Sequence, residues 1–186
     1  GVFSEGLFRV HLETPFIDIR AETLRTPSGM LESKFSVKSR PAFEVALLTR
    51  GEEPSIVLMR KHLPDGRRLT KLPGGYLRGD PSVYIPTRIR EDSGYDFVFS
   101  SLIHFGQVIG HAEIRTPIDL YYTLEWQKRS EPREGIEILE ATLDEAAAMA
   151  IHALRRTDGP DQTEIWNDTA YEAVMALYWL WNKRLL

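Results

Sequence analysis

The stretch from Lys71 to Phe97, KLPGGYLRGDPSVYIPTRIREDSGYDF, limits the possible folds more than any other part of the chain. Pro73-Gly74-Gly75 is a strong turn signal. Gly94 is a natural left-handed stop for a helix. Residues 82 to 93 are therefore predicted to form one short helix, with Ser82 as its N-cap. Pro86 falls in the first turn or so, where a missing N–H costs little; a proline further in would break the helix. From Pro81 to Arg90 there is no acidic residue, yet Glu91 and Asp92 crowd the end of the segment.

Strand-like segments surround this helix. Residues 7 to 40 alternate in polarity and carry a Pro-Ser-Gly turn at 27 to 29, which predicts a small antiparallel sheet with a hairpin. AFEVALLTR (42 to 50) and SIVLMRKH (55 to 62) read as a central hairpin. DFVFSSLIHFGQVIG and TPIDLYYTLEW supply further strands. TLDEAAAMAIHALRR (142 to 156) predicts a helix with Thr142 as cap and Glu145 closing a capping box. Residues 163 to 186 predict a second amphipathic helix, with Ala173, Leu177, Leu180 and Trp181 on one face. Strands, one short helix, strands, then two helices make an α+β sandwich with helices on the faces of a mixed sheet.

With 186 residues, 42% of them hydrophobic, one sizeable core is expected: residues 1–40 as a small β appendage and 41–186 as the main domain. The net charge of -4 argues against a general nucleic-acid binder, which needs a basic face. It leaves room for a small phosphorylated ligand, which needs only a few local cations. The absence of cysteine excludes disulfides, thiolate metal sites and a cysteine nucleophile. No apolar run approaches the roughly 20 residues that span a bilayer, and no charged-then-apolar leader opens the chain. The expectation is a cytoplasmic protein without membrane partners.

The central motif resembles the signature of the Nudix superfamily, and within it the ADP-ribose pyrophosphatase type. Pro73-Gly74-Gly75 matches the loop that opens the signature, Gly79-Asp80 resembles its Gly-Glu, and Ile89-Arg90-Glu91-Asp92-Ser93-Gly94-Tyr95 matches its helix end. The similarity extends outward. Val57 to His62 resembles the preceding strand, Glu131 to Glu137 the family's acidic loop, and IWNDTAYEAVMALYWL its closing helix. The N-terminal strands are similar to the small sheet that such enzymes swap across a dimer, which implies a homodimer. The resemblance implies a Nudix-type α/β/α sandwich with a small N-terminal antiparallel sheet. It also implies Mg2+- or Mn2+-dependent hydrolysis of a nucleoside diphosphate linked to another moiety, of the ADP-ribose or nucleotide-sugar class. In that scheme Glu91, Asp92, a carbonyl near Gly74 and Asp80 hold the metal. Glu134 acts as base, Glu91 shares the catalytic role, and Arg60 and Glu113 contact the ligand.

Pyrophosphate hydrolysis needs hard cations that polarise phosphoryl oxygens and activate water. The family answers with carboxylates one turn apart on a helix face. With Gly94 as anchor, this chain places Thr87 at the family's Arg and Arg88 at its first Glu, and the spacing from Gly75 is two residues short. Arg88 would repel an ion and pair with Glu91 or Asp92. The box is degenerate, so a second function stands beside the hydrolase: a catalytically inactive Nudix-fold module that binds a nucleotide or serves regulation.

Plainer readings stand beside the functional ones. Glu91 and Asp92 also read as a salt-bridged helix end, Glu134 as a surface acid, and Arg60 as a strand-edge charge. His62, His104 and His111 lack metal-ligand spacing and read as structural or exposed. Trp166, Trp179 and Trp181, all placed on the last helix, read as core or dimer contacts.

Overall fold

The structure, a computed structural model, describes residues 4–13, 17–110, 116–155 and 163–186. The chain begins with an antiparallel meander of three strands, β1 (Ser4–Glu13), β2 (Ile17–Arg25) and β3 (Leu31–Ser39). The turn joining β2 to β3 is the one the Pro-Ser-Gly signal predicts. Gly29 sits there at φ 82°, and Thr26 N–H donates to Met30 O at 2.8 Å.

Two four-stranded sheets form the centre of the main domain. In one, β4 (Ala42–Leu47) runs parallel to β10 (Thr116–Thr123) and antiparallel to β7 (Gly74–Tyr76), and β10 also pairs with β9 (Ile103–Gly110). In the other, β5 (Ser55–His62) lies between β12 (Ile136–Thr142) and β6 (Arg68–Lys71), and β13 (Glu164–Trp166) adds to β6 in parallel. A short pair, β8 (Tyr95–Phe97) with β11 (Trp126–Lys128), completes the strands. The helices are α1 (Pro81–Ser93), α2 (Leu143–Arg155) and α3 (Asp168–Asn182).

Layering follows from burial. Strand β4 is buried without interruption from Phe43 to Leu47, the mark of a strand covered on both faces. Its odd members, Phe43, Val45 and Leu47, pack with Val57 and with Ile85 and Ile89 of α1. On the other side Ala46, Leu48, Ile56 and Leu58 pack with Ala146 and Ala150 of α2 and Ala173 and Leu177 of α3. The alanines let both helices approach closely. This is an α/β/α sandwich of mixed sheets with a small N-terminal antiparallel sheet. Among the described residues no helix is long and apolar enough to cross a membrane.

Five sequence expectations change in detail, the first being that α1 starts at Pro81 and so holds Pro86 inside it, in its second turn. The helix expected over 163–186 begins at Asp168, because Asn167 caps it by accepting from Ala170 N–H at 3.2 Å. Trp166 therefore lies in β13, buried in the core, and not on the last helix. Ser82 is not the cap of α1. Asp80 is, accepting from Ser82 N–H at 2.9 Å, with Pro81 at the first helical position. Finally, β4 and β5 do not form an extended hairpin. A single bridge, Leu48 to Ile56, joins them before they diverge into separate sheets. Each is flanked on both edges by other strands, β4 by β7 and β10 and β5 by β12 and β6, which leaves no edge for a ladder between them. The capping box of α2 is as expected: Thr142 N–H donates to Glu145 Oε2 at 2.8 Å and Glu145 N–H to Thr142 Oγ1 at 3.1 Å.

Candidate functional site

The end of α1 is built on Gly94. Its φ of 79° is open to glycine, and a Cβ there would stand 2.1 Å from Ser130 O. The chain from Arg129 to Arg133 thus crosses directly over the helix end. Arg129 and Ser130 N–H donate to Gly94 O at 2.8 and 3.1 Å, and Arg133 N–H donates to Asp92 O at 3.1 Å.

This docking places a second arginine at Asp92. The Asp92 side chain is buried, and Oδ2 lies 3.0 Å from Arg88 Nη2 at i,i+4. Its Oδ1 stands 3.7 Å from Arg133 Nη1, an ion-pair distance too long for a hydrogen bond. Arg88 also reaches the glycine-rich strand: a Cβ on Gly75 would lie 3.7 Å from its Nε. The guanidinium stands between α1 and the β7 strand.

The other expected site residues do not gather at this point. Glu91 is exposed on α1, and Glu134 is exposed in the turn between Arg133 and Ile136. Asp80 is occupied as a cap; its bonds from Ser82 hold its carboxyl below the usual range. Gly74 is needed for packing, because a Cβ there would meet Phe43 O at 2.3 Å. Arg60 faces two carboxylates of neighbouring strands, Glu137 at 3.8 Å and Glu164 at 3.4 Å, with its Nε buried and unbonded. Glu113 lies outside the described residues. Among the described residues, no three of His, Asp and Glu stand close enough to share a metal ion.

A second feature escaped the sequence reading. A cleft of about 540 Å³ opens between β4, β7, β9, β10 and the start of α3. Glu44 lines it at only 8% exposure, with Oε2 buried and without a hydrogen-bond partner. Burial pushes its carboxyl up to about 8, and the Lys71 charge opposes that rise. Lys71 also lines the cleft, and burial pulls its ammonium down from the usual range, against the pull of Glu44 and Asp92. The signal was present in both cases. Glu44 interrupts the apolar run AFEVALL, and Lys71 immediately precedes Leu72-Pro73-Gly74-Gly75. A charge inside a strand buried on both faces marks either a fold constraint or a site.

No protein-family model matches this sequence, and no curated protein matches it. Solved structures do. One described as an ADP compounds hydrolase aligns over 98% of this chain and 96% of its own, with a TM-score of 0.63 and 12% sequence identity. The fold is Nudix-type. At that identity the likeness extends to architecture, and chemistry must be argued from the residues. A divalent ion is the cofactor such a fold implies, and the described residues do not fit one. The buried carboxylate that would bind it is held by Arg88 and Arg133, and Glu91 stands apart on the surface.

Proposed function

We propose that this chain binds a ligand of the nucleoside-diphosphate class, such as ADP-ribose or a nucleotide sugar, and holds its phosphates with side-chain cations instead of divalent ions. The supporting observation is the Arg88 guanidinium, fixed by Asp92 at 3.0 Å beside the glycine-rich strand. Arg88 keeps donors beyond those spent on Asp92, and guanidinium groups match phosphate geometry. Lys71 adds a second cation facing the cleft. Fixed cations can neutralise phosphate oxygens. They cannot lower the pKa of a bound water as a metal ion does, so binding persists where turnover is lost.

A metal-dependent hydrolase is the second reading, and the fold likeness to an ADP compounds hydrolase favours it. In that reading Glu91 and Asp92 hold Mg2+ or Mn2+ with a carbonyl near Gly74, and Glu134 serves as base. Asp92 would first have to release Arg88. Calorimetry with ADP-ribose in EDTA and in Mg2+ separates the two. The binding reading expects equal affinity in both, no phosphate-releasing turnover, and a loss of at least about tenfold in Arg88→Ala. Mg2+-dependent hydrolysis that disappears in Glu91→Gln and Asp92→Asn would reject it. The N-terminal sheet as a dimer element belongs to the same proposal; a monomeric mass in light scattering would remove it.

A further inference from the structure

Asp92 and Arg88 account for one end of the site, and Glu44 is the buried group left over. A carboxyl oxygen buried without a hydrogen-bond partner is unfavourable, so its retention asks for a reason. Its position is built in. Gly74 faces Glu44 across the β4–β7 ladder, and a Cβ on Gly74 would stand 3.0 Å from Glu44 Cγ. A side chain at 74 would crowd the Phe43 backbone first and the Glu44 stem next.

The charges around the cleft are graded. Lys71 comes from β6 and interacts with Arg88 and Asp92 of α1 as well as with Glu44. Asp168 and Glu172 come from α3. The lining residues of β9 and β10 are uncharged: Val108, Ile109, Thr116 and Ile118. The α3 side therefore carries two acids, Asp168 and Glu172, while Glu44 stands within electrostatic reach of Lys71. A diphosphate is repelled from Asp168 and Glu172 on the α3 side. Resting on the reading above, we propose that Glu44 is the specificity-determining residue of this cleft. Its Oε2 accepts a hydrogen bond from an O–H or N–H of the uncharged moiety linked to the diphosphate, while the phosphates lie toward Lys71 and Arg88. The apolar walls of Val108, Ile109 and Ile118 suit the face of a sugar or base.

The test is calorimetry in EDTA with four probes: ADP-ribose, ribose 5-phosphate, AMP and inorganic pyrophosphate. Glu44→Met, close in shape and lacking an acceptor, is expected to weaken ADP-ribose at least about tenfold. Glu44→Gln, whose amide oxygen still accepts, should recover part of that loss, a rescue that a merely structural role would not give. The fragment that loses affinity in Glu44→Met identifies the donor: ribose 5-phosphate for a sugar hydroxyl, AMP for a base amino group. Pyrophosphate, with neither sugar nor base, should be indifferent to Glu44 and lost in Arg88→Ala. Equal ADP-ribose affinity in wild type, Glu44→Met and Glu44→Gln would overturn the Glu44 assignment, even if Arg88→Ala abolished pyrophosphate binding. ADP-ribose binding that depends on Glu44 but not on Arg88 would overturn the phosphate reading and leave Glu44 standing. Failure of wild type to bind any probe would overturn both.

Discussion

Asp92 and Glu44 are both buried carboxylates, and their surroundings treat them in opposite ways. Asp92 ends a helix whose other acid, Glu91, faces outward, and two arginines from different segments converge on Asp92. Glu44 sits mid-strand, with one oxygen buried and unbonded and a single lysine nearby. The first arrangement consumes the charge that a metal would need. The second leaves an acceptor in a cleft. In this fold the carboxylate that resembles the family motif is bound up in ion pairs, and the one outside the motif lines a cleft with one oxygen unbonded.

The largest test of that contrast is Arg88→Glu. It leaves Asp92 buried beside a like charge and is expected to destabilise the protein by about 3–5 kcal/mol in urea unfolding with EDTA present. It also assembles acids at 88, 91 and 92, so Mg2+ should restore part of the loss. Stability in EDTA equal to wild type would show that the arginine pair does not hold Asp92.

Glu44 is expected to give a pH signature in stability. Burial keeps the proton on the folded carboxyl until about pH 8, whereas the unfolded chain releases it near the ordinary 4.5. Across that window the unfolded state binds fewer protons, so stability falls as pH rises and levels off above it. The fall should amount to a few kcal/mol, and Glu44→Gln should remove it. Parallel pH–stability curves for the two proteins would contradict the buried, unpaired assignment.

Smaller effects sharpen the Asp92 side. Gly94→Ala forces a Cβ against the Ser130 carbonyl and strains a left-handed residue, which should cost about 2 kcal/mol. It should also displace Arg133, so that a further Arg133→Ala change adds little; full additivity would disconnect the loop from Asp92. The least effect belongs to Asp80→Ala, which removes a cap. A fall in Tm of roughly 2–4 °C with unchanged Mg2+ response is expected. A changed Mg2+ response would return Asp80 to the list of metal ligands.

Much of the scaffold was legible in the chain. The capping box at Thr142 and Glu145, the stop at Gly94 and the turn at Gly29 are local devices, decided by a few adjacent residues, and each forms where expected. The α3 boundary was missed because Glu164–Trp166 reads as helix by pattern and becomes strand only by pairing with β6. At the site, the pairing of Arg88 with Asp92 was legible because i,i+4 spacing is fixed by helix geometry. Arg133 was not, since it arrives through a loop docked on Gly94.

The sequence by itself determined that this chain would carry a short helix between a glycine-rich strand and Gly94, with Arg88 one turn before Asp92. Periodicity and local hydrogen bonding settle such matters over a few residues. Only the tertiary structure decided that Glu44 would be buried opposite Gly74 in a cleft closed by α3. It also decided that Arg60 would be held by Glu137 and Glu164. Those outcomes depend on strands far apart in sequence coming together, and on the desolvation that follows, which no local pattern encodes.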